Sequence, residues 1–134
     1  QNGMPIIGVC RGAQLLCALN GGTLIQHADG HLGTHSIATF DGKSLITNSI
    51  HHQMMDISNT KHDLLAWTPY PLSKKYFGEF NQTIKIDIEP EIVWFQGTKG
   101  LAIQGHPEYL YPSHEFVKYC TSLIQNIIQK GVPK

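Results

Sequence analysis

The sequence predicts an α/β fold, a mainly parallel sheet flanked by helices, and three observations carry that prediction. Pro5-Ile6-Ile7-Gly8-Val9 is short, continuous and apolar, as a strand buried in a parallel sheet reads. Ala13 to Leu19 follows as a helix, closed by Asn20-Gly21-Gly22, where a left-handed cap forms easily. At the other end of the chain, Phe116, Val117, Cys120, Leu123, Ile124, Ile127 and Ile128 recur at helical spacing on one face. Cys10 sits on the turn of the first strand–helix pair, flanked by Gly8 and Gly12. A turn this sharp is expected to bring a side chain at Gly8 or Gly12 into neighbouring backbone. The thiol then projects above the carboxyl end of the sheet, beside the positive end of a helix, which favours the reactive thiolate. The pattern is that of a nucleophile elbow with sulfur in place of oxygen.

The remaining elements follow in order. After Thr23-Leu24-Ile25-Gln26, the polar stretch His27 to His35 carries Asp29-Gly30 and Gly33 and reads as loop. Ser36 to Phe40 alternates like a strand, Asp41-Gly42 predicts a hairpin turn, and Lys43 to Ile46 returns antiparallel. Asn48-Ser49-Ile50-His51-His52-Gln53 is a polar segment before Met54 and Met55. Leu64 to Trp67 predicts a short strand, and Pro69, Pro71 and Lys74-Lys75 mark a surface excursion. Ile84 to Ile88 alternates as a half-buried strand that Pro90 is expected to end. Ile92 to Phe95 is another strand, Gly97 to Gly100 a turn, and Leu101 to Gly105 a last strand running into His106-Pro107-Glu108. For the final helix Ser113 is the expected N-cap, with Glu115 in the first turn, Lys130 in the last, and Gly131 and Pro133 as the stop.

At 134 residues, the chain is at most one domain. Ten basic side chains balance ten acidic ones, so neither a nucleic-acid partner nor an acidic tail is indicated. No apolar run approaches bilayer length, and no signal peptide is visible. Three cysteines cannot close a disulfide framework, which fits a reducing, cytoplasmic setting; Cys17 and Cys120 read as small buried hydrophobes. His27, His31 and His35 recur every four residues, but Asp29-Gly30 and Gly33 break the helix that a zinc-binding face would need. No metal or cofactor is therefore expected. Only nine residues, beginning with Gln1, precede Cys10. A strand bearing such a turn normally lies inside its sheet, so the expectation is the C-terminal part of a longer domain. Its earlier strands would be truncated or supplied by another chain.

A cysteine nucleophile needs a base to take its proton and a third group to orient that base. His106 and Glu108 supply both, two residues apart at the end of a predicted strand, with Pro107 stiffening the spacer. The backbone N–H of Arg11, at the helix start, is placed to donate to an oxyanion.

On Gly8-Val9-Cys10-Arg11-Gly12-Ala13-Gln14 and Gly105-His106-Pro107-Glu108, in that order and separation, the chain resembles the class I glutamine amidotransferase superfamily. Arg11 after the cysteine, Gln14-Leu15-Leu16, Gly21-Gly22-Thr23-Leu24 and the segment from Asn48 to Gln53 resemble its gamma-glutamyl-gamma-aminobutyrate hydrolase branch. The resemblance implies a flavodoxin-like domain over residues 1–134, without its N-terminal part. It implies Cys10 as nucleophile, His106 as base and Glu108 as the carboxylate that orients it. Gln14 then matches a position contacting the glutamyl substrate, and Ser49, Ile50 and His51 match a segment holding its amino and carboxylate ends. The implied activity is hydrolysis of a glutamine or gamma-glutamyl amide through a thioester. Alternatives are a glutaminase unit supplying ammonia to a synthetase partner and a non-catalytic relic of the fold. The partners implied are a small glutamyl amide, a synthetase, a missing N-terminal half or a second copy in a homodimer.

Overall fold

A computed structural model describes residues 4–25, 27–28, 32–50, 54–68, 76–77, 83–84, 89–107 and 110–133. The chain runs β1 (Ile6–Val9), α1 (Arg11–Leu19), β2 (Thr23–Ile25), β3 (His27–Ala28), β4 (Leu32–Thr39), β5 (Ser44–Ile50) and β6 (Met54–Asp56). It continues with β7 (His62–Thr68), β8 (Tyr76–Phe77), β9 (Thr83–Ile84), β10 (Glu89–Phe95), β11 (Gly100–Ile103) and α2 (Glu115–Lys130). Six strands form the principal sheet, in the order β1-β11-β10-β7-β4-β5.

The α/β class holds, but the sheet is mixed where the sequence predicts mainly parallel pairing. Among the described pairings β1–β11 is parallel and the rest are antiparallel. The connections explain the difference. The Asp41-Gly42 turn, with Gly42 at φ 86°, and the tight turn before Gly100 can join only antiparallel neighbours.

Two apolar cores lie on the two faces of this sheet, and period-two alternation divides the strand residues between them. Ile92, Trp94, Leu101 and Ile103 pack with Phe116, Tyr119, Cys120, Leu123 and Ile127 of α2. Val93, Phe95 and Ala102 pack with Ala13, Leu16 and Cys17 of α1. Strands β10 and β11 are therefore buried on both faces, which is why they read as unbroken apolar runs. Strand β1 is different: Ile6 is 44% and Ile7 38% exposed, because β11 is its one ladder partner among the described residues.

Several local expectations are corrected. Gly33 lies inside β4 instead of a loop, because the ladder with β5 runs from Leu32↔Ile50 to Ala38↔Ser44 and outweighs the propensity of one glycine. The same ladder places Asn48, Ser49 and Ile50 on a strand. Pro90 sits within β10, at a register shift between Pro90 and Ile92, where a ladder tolerates a missing N–H. The N-cap of α2 is His114, not Ser113: its Nδ1 accepts from Phe116 N–H at 3.2 Å. Tyr119 joins the buried face of α2, and Ile128 is 75% exposed. The left-handed stops are as expected, with Gly21 at φ 88° and Gly131 at φ 79°. The 69–75 excursion, most of the Ile84–Ile88 alternation, and His31, His51, His52, Gln53 and Glu108 lie outside the described residues.

The two glycines beside Cys10 are not equivalent. A Cβ at Gly8 would stand 2.5 Å from the Gly12 carbonyl oxygen and 2.9 Å from Leu16 Cδ1, whereas one at Gly12 meets nothing within 4 Å. Close approach is needed at Gly8 only. Gly8→Ala is expected to destabilise the fold by about 2 kcal/mol or more through overpacking. Gly12→Ala is expected to be neutral or to stabilise by up to ~1 kcal/mol through helix propensity. Urea unfolding of the two variants side by side checks the contrast.

Candidate functional site

Strand β1 ends at Val9, paired with Ile103, the last residue of β11. The next residue, Cys10, turns the chain into α1 with φ 54° and ψ −102°, a left-handed conformation that costs a non-glycine residue ~1–3 kcal/mol. Two backbone bonds hold it there. Cys10 N–H donates to the Ile103 carbonyl at 2.7 Å, and Gln14 N–H donates to the Cys10 carbonyl at 3.1 Å. The thiol is half-buried at the N-terminus of α1, an electrostatic setting that stabilises an anion. The other two cysteines differ in kind. Burial, with help from Asp56, pushes the Cys17 thiol up to about 12, and burial pushes Cys120 up to about 12.

The parallel pairing sends β1 and β11 out of the sheet at the same edge, about 4.8 Å apart. His106 therefore follows β11 at the edge where Cys10 follows β1, and it is half-buried. The strand ends two residues earlier than the sequence predicts. Strand β11 ends at Ile103, and Leu110 N–H donates to the Pro107 carbonyl at 3.1 Å.

The other strands bring polar side chains to this same edge. Glu89 pairs with Thr68, at the start of β10 and the end of β7; His35 pairs with Thr47, in the first half of β4 and the second half of β5. Glu89, Glu91, Thr47, Thr68 and Gln104 are buried. Glu91 Oε2 lies 3.2 Å from His35 Nε2 and accepts from Thr68 Oγ1 at 2.9 Å. Among the described residues, Glu91 Oε1 and both amide atoms of Gln104 have no hydrogen-bond partner. Gln104 N–H donates to the Glu91 carbonyl at 2.8 Å, which extends the β10–β11 ladder to the brink of His106.

Of the residues singled out in sequence, Cys10, Arg11 and His106 come to one sheet edge. Gln14 lies on the first turns of α1 and is 5% exposed. The backbones of Ser49 and Ile50 pair with Gly33 and Leu32 at the end of β5, which reaches the same edge. Asn48 is the residue that sequence reasoning placed in the segment without a task. Its side chain donates through Nδ2 to the His106 carbonyl at 2.8 Å and accepts His106 N–H at Oδ1, also at 2.8 Å. Its position beside Ser49 was the available signal; the partner was not legible.

Among the described residues no group of three or more His, Cys, Asp or Glu side chains is placed to hold a metal ion. No described helix is long and apolar enough to cross a membrane. A cavity of 360 Å³ lies elsewhere, between the Asp41-Gly42 hairpin and α2, lined by Asp41, Lys43 and Tyr119 among others. It shares no residue with the Cys10–His106 edge.

A model of the Peptidase C26 family matches residues 1–72. A Mycobacterium tuberculosis protein provisionally named a glutamine amidotransferase is 29% identical over 117 residues, covering 81% of this chain and 36% of its own length. A glutamine amidotransferase structure from Thermotoga maritima superposes with a TM-score of 0.56 at 13% identity, over 98% of this chain and 52% of that one. A Thermoplasma acidophilum structure, provisionally named as one component of a GMP synthase, gives 0.59 at 16% identity, over 96% of this chain and 62% of that one. The chain thus spans about a third of the curated relative and a half to two-thirds of these two structures. The structural matches establish a shared fold.

Two outcomes follow from the geometry. At pH 8 a small alkylating reagent is expected to label Cys10 in the folded protein and spare Cys17 and Cys120, whose raised thiols stay protonated; peptide mass mapping checks this. Glu91→Ala is expected to cost about 1–3 kcal/mol, since it removes the buried hydrogen bonds that Glu91 makes with Thr68 and His35. Adding His35→Ala should cost much less than its single effect, which a double-mutant cycle by urea unfolding measures.

Proposed function

The chain belongs to the Peptidase C26 family, within the class I glutamine amidotransferases, and from that membership we propose that it carries the reacting groups of a cysteine amidohydrolase. Its substrate is a glutamine or a gamma-glutamyl amide. The observation that carries the reading is the β1–β11 register, closed by the Cys10 N–H bond to Ile103, which leads the cysteine and the histidine out of the sheet together.

The reaction is acyl transfer. His106 holds the thiol proton, and the Cys10 sulfur attacks the gamma-carbonyl carbon. The carbonyl oxygen becomes an oxyanion, which accepts from the backbone N–H of Arg11 at the positive end of α1. Collapse breaks the C–N bond as His106 passes its proton to the leaving nitrogen, so ammonia or an amine departs and a glutamyl thioester remains. Water, deprotonated by His106, attacks the thioester; glutamate leaves and the proton returns to sulfur. Glu108 orients the imidazole and offsets its charge while it is protonated. Gln14, Ser49, Ile50 and His51 hold the glutamyl group. The Cys10 backbone fits this task, because a left-handed turn held by β11 and α1 stands between the end of β1 and the N-terminus of α1.

Release of a free amine, in the manner of a gamma-glutamyl hydrolase, is the finer reading, and the Arg11 and Asn48-to-Gln53 motifs favour it. The second reading, ammonia delivery to a synthetase, uses the same residues. It draws support from the fold shared with a protein named for GMP synthase. Cleavage of gamma-glutamyl amines by the purified protein without a partner supports the first; glutamine hydrolysis that rises only on adding a synthetase supports the second. In either case Cys10→Ala in the full-length protein is expected to lower glutamate release by more than ~10³-fold. A glutamine-mimicking electrophile should add its mass to the Cys10 peptide. Retention of full activity in Cys10→Ala would overturn the reading.

A further inference from the structure

We propose that Asn48 is a positioning residue for His106: its amide fixes the backbone of the histidine, and through it the aim of the imidazole toward Cys10. The proposal rests on His106 being the base of the reaction. The amide bonds to both backbone groups of one residue, accepting from His106 N–H and donating to His106 C=O, each at 2.8 Å. Asn48 is 9% exposed, so both bonds are sheltered from competing water. The chain is shaped to permit the contact. A Cβ at Gly105 would stand 2.5 Å from Thr47 Oγ1 and 3.1 Å from the Asn48 carbonyl oxygen, so only glycine lets β5 approach the residue before His106 this closely.

The clasp also sits where a loop needs one. Strand β11 ends at Ile103 and the last ladder bond is Gln104 N–H to Glu91. His106 lies two residues beyond that bond and just before Pro107. Asn48 holds the backbone between the ladder and the Pro107–Leu110 bond. His106 is thereby tied to the far strand of the sheet. That tie closes a ring: Asn48 follows Thr47, Thr47 pairs with His35, His35 meets Glu91, and Glu91 accepts from Gln104. The imidazole of a base must be aimed to within about an ångström, and misplacement on that scale costs on the order of 10²-fold in rate.

The test reads the thiol as well as turnover. The rate of Cys10 alkylation by iodoacetamide is followed against pH in the full-length protein and in Asn48→Ala. The wild type should show an inflection below the ordinary thiol value of about 8.5, because an aimed imidazole shares the proton. Asn48→Ala should move that inflection back toward about 8.5 and lower kcat on the order of 10²-fold, with KM changed less than about threefold. Arg11, His35, Glu89 and Glu91, the other titratable groups described at this edge, are unchanged between the two proteins, so the shift reports the imidazole. Asn48→Ser carries the same readout should Asn48→Ala fail to fold; its hydroxyl is too short to span both backbone groups, and an intermediate shift is expected. A depressed inflection that Asn48→Ala leaves in place, or a loss confined to KM, overturns the positioning role while the proposed function stands. A wild-type inflection already near 8.5 removes the sulfur–imidazole pair, and the positioning role falls with it.

Discussion

The constraint on which everything else depends is the parallel pairing of β1 with β11. Antiparallel strands can be joined by a short turn, and most of this sheet is built that way. A parallel pair needs a long return path, and here residues 10–99 are that path. The consequence is directional: two strands from opposite ends of the sequence leave the sheet at one edge. One delivers a cysteine on a strained turn, the other a histidine. The strain at Cys10 persists because both of its backbone bonds belong to other elements, one to β11 and one to α1. Relaxing φ would break a ladder bond and the first bond of a helix together. Over-determination of this kind lets a fold keep a sparsely populated conformation where chemistry needs it.

The second feature of the molecule is an asymmetry between the middle of the sheet and its edge. In the middle, β10 and β11 bury apolar side chains on both faces, and two helices cover them. At the edge the same strands turn polar, with Glu89, Glu91 and Gln104 all nearly inaccessible. Burying a carboxylate and an amide costs free energy that hydrophobic residues of similar volume would not. Glu91 is satisfied on one oxygen by His35 and Thr68, and its other oxygen and the Gln104 amide have no partner among the described residues. That cost is concentrated beside the cysteine and histidine rather than scattered through the core. Such a distribution is expected where shaping a polar edge matters more than stability.

Much of this was legible in the sequence, and the failures share a cause. The Cys10 turn, the Asp41-Gly42 hairpin, α1, α2 and their glycine stops all rest on local signals: periodicity, φ preferences and end residues. The errors arose where a tertiary ladder overrode local propensity. Gly33 and Asn48 look like loop residues, yet pairing between β4 and β5 extends through both. Pro90 looks like a terminator, yet a register shift absorbs it. Gly12 looks as necessary as Gly8, and only the packing of Leu16 and the helix backbone separates them. The candidate site was legible as residue types in order, because Cys10 and His106 each stand within a motif. The contact between Asn48 and His106 left none, since a side chain that bonds to backbone imposes no pattern on its partner.

That contact also shows why an amide stands at position 48. A carboxylate there could accept from His106 N–H but would face the His106 carbonyl with like polarity, and its charge would favour the protonated imidazole. An ammonium could donate to the carbonyl but not accept, and would disfavour the same protonation. A hydroxyl reaches only one of the two groups. The primary amide presents an N–H donor and a C=O acceptor side by side, matching the C=O and N–H of one residue, and carries no charge. Asn48 thus extends the sheet by one rung without a strand, fixing the histidine backbone while leaving the proton affinity of its ring to other neighbours. If His106 must both accept and return a proton within one turnover, a neutral clasp is the form of restraint that biases neither step.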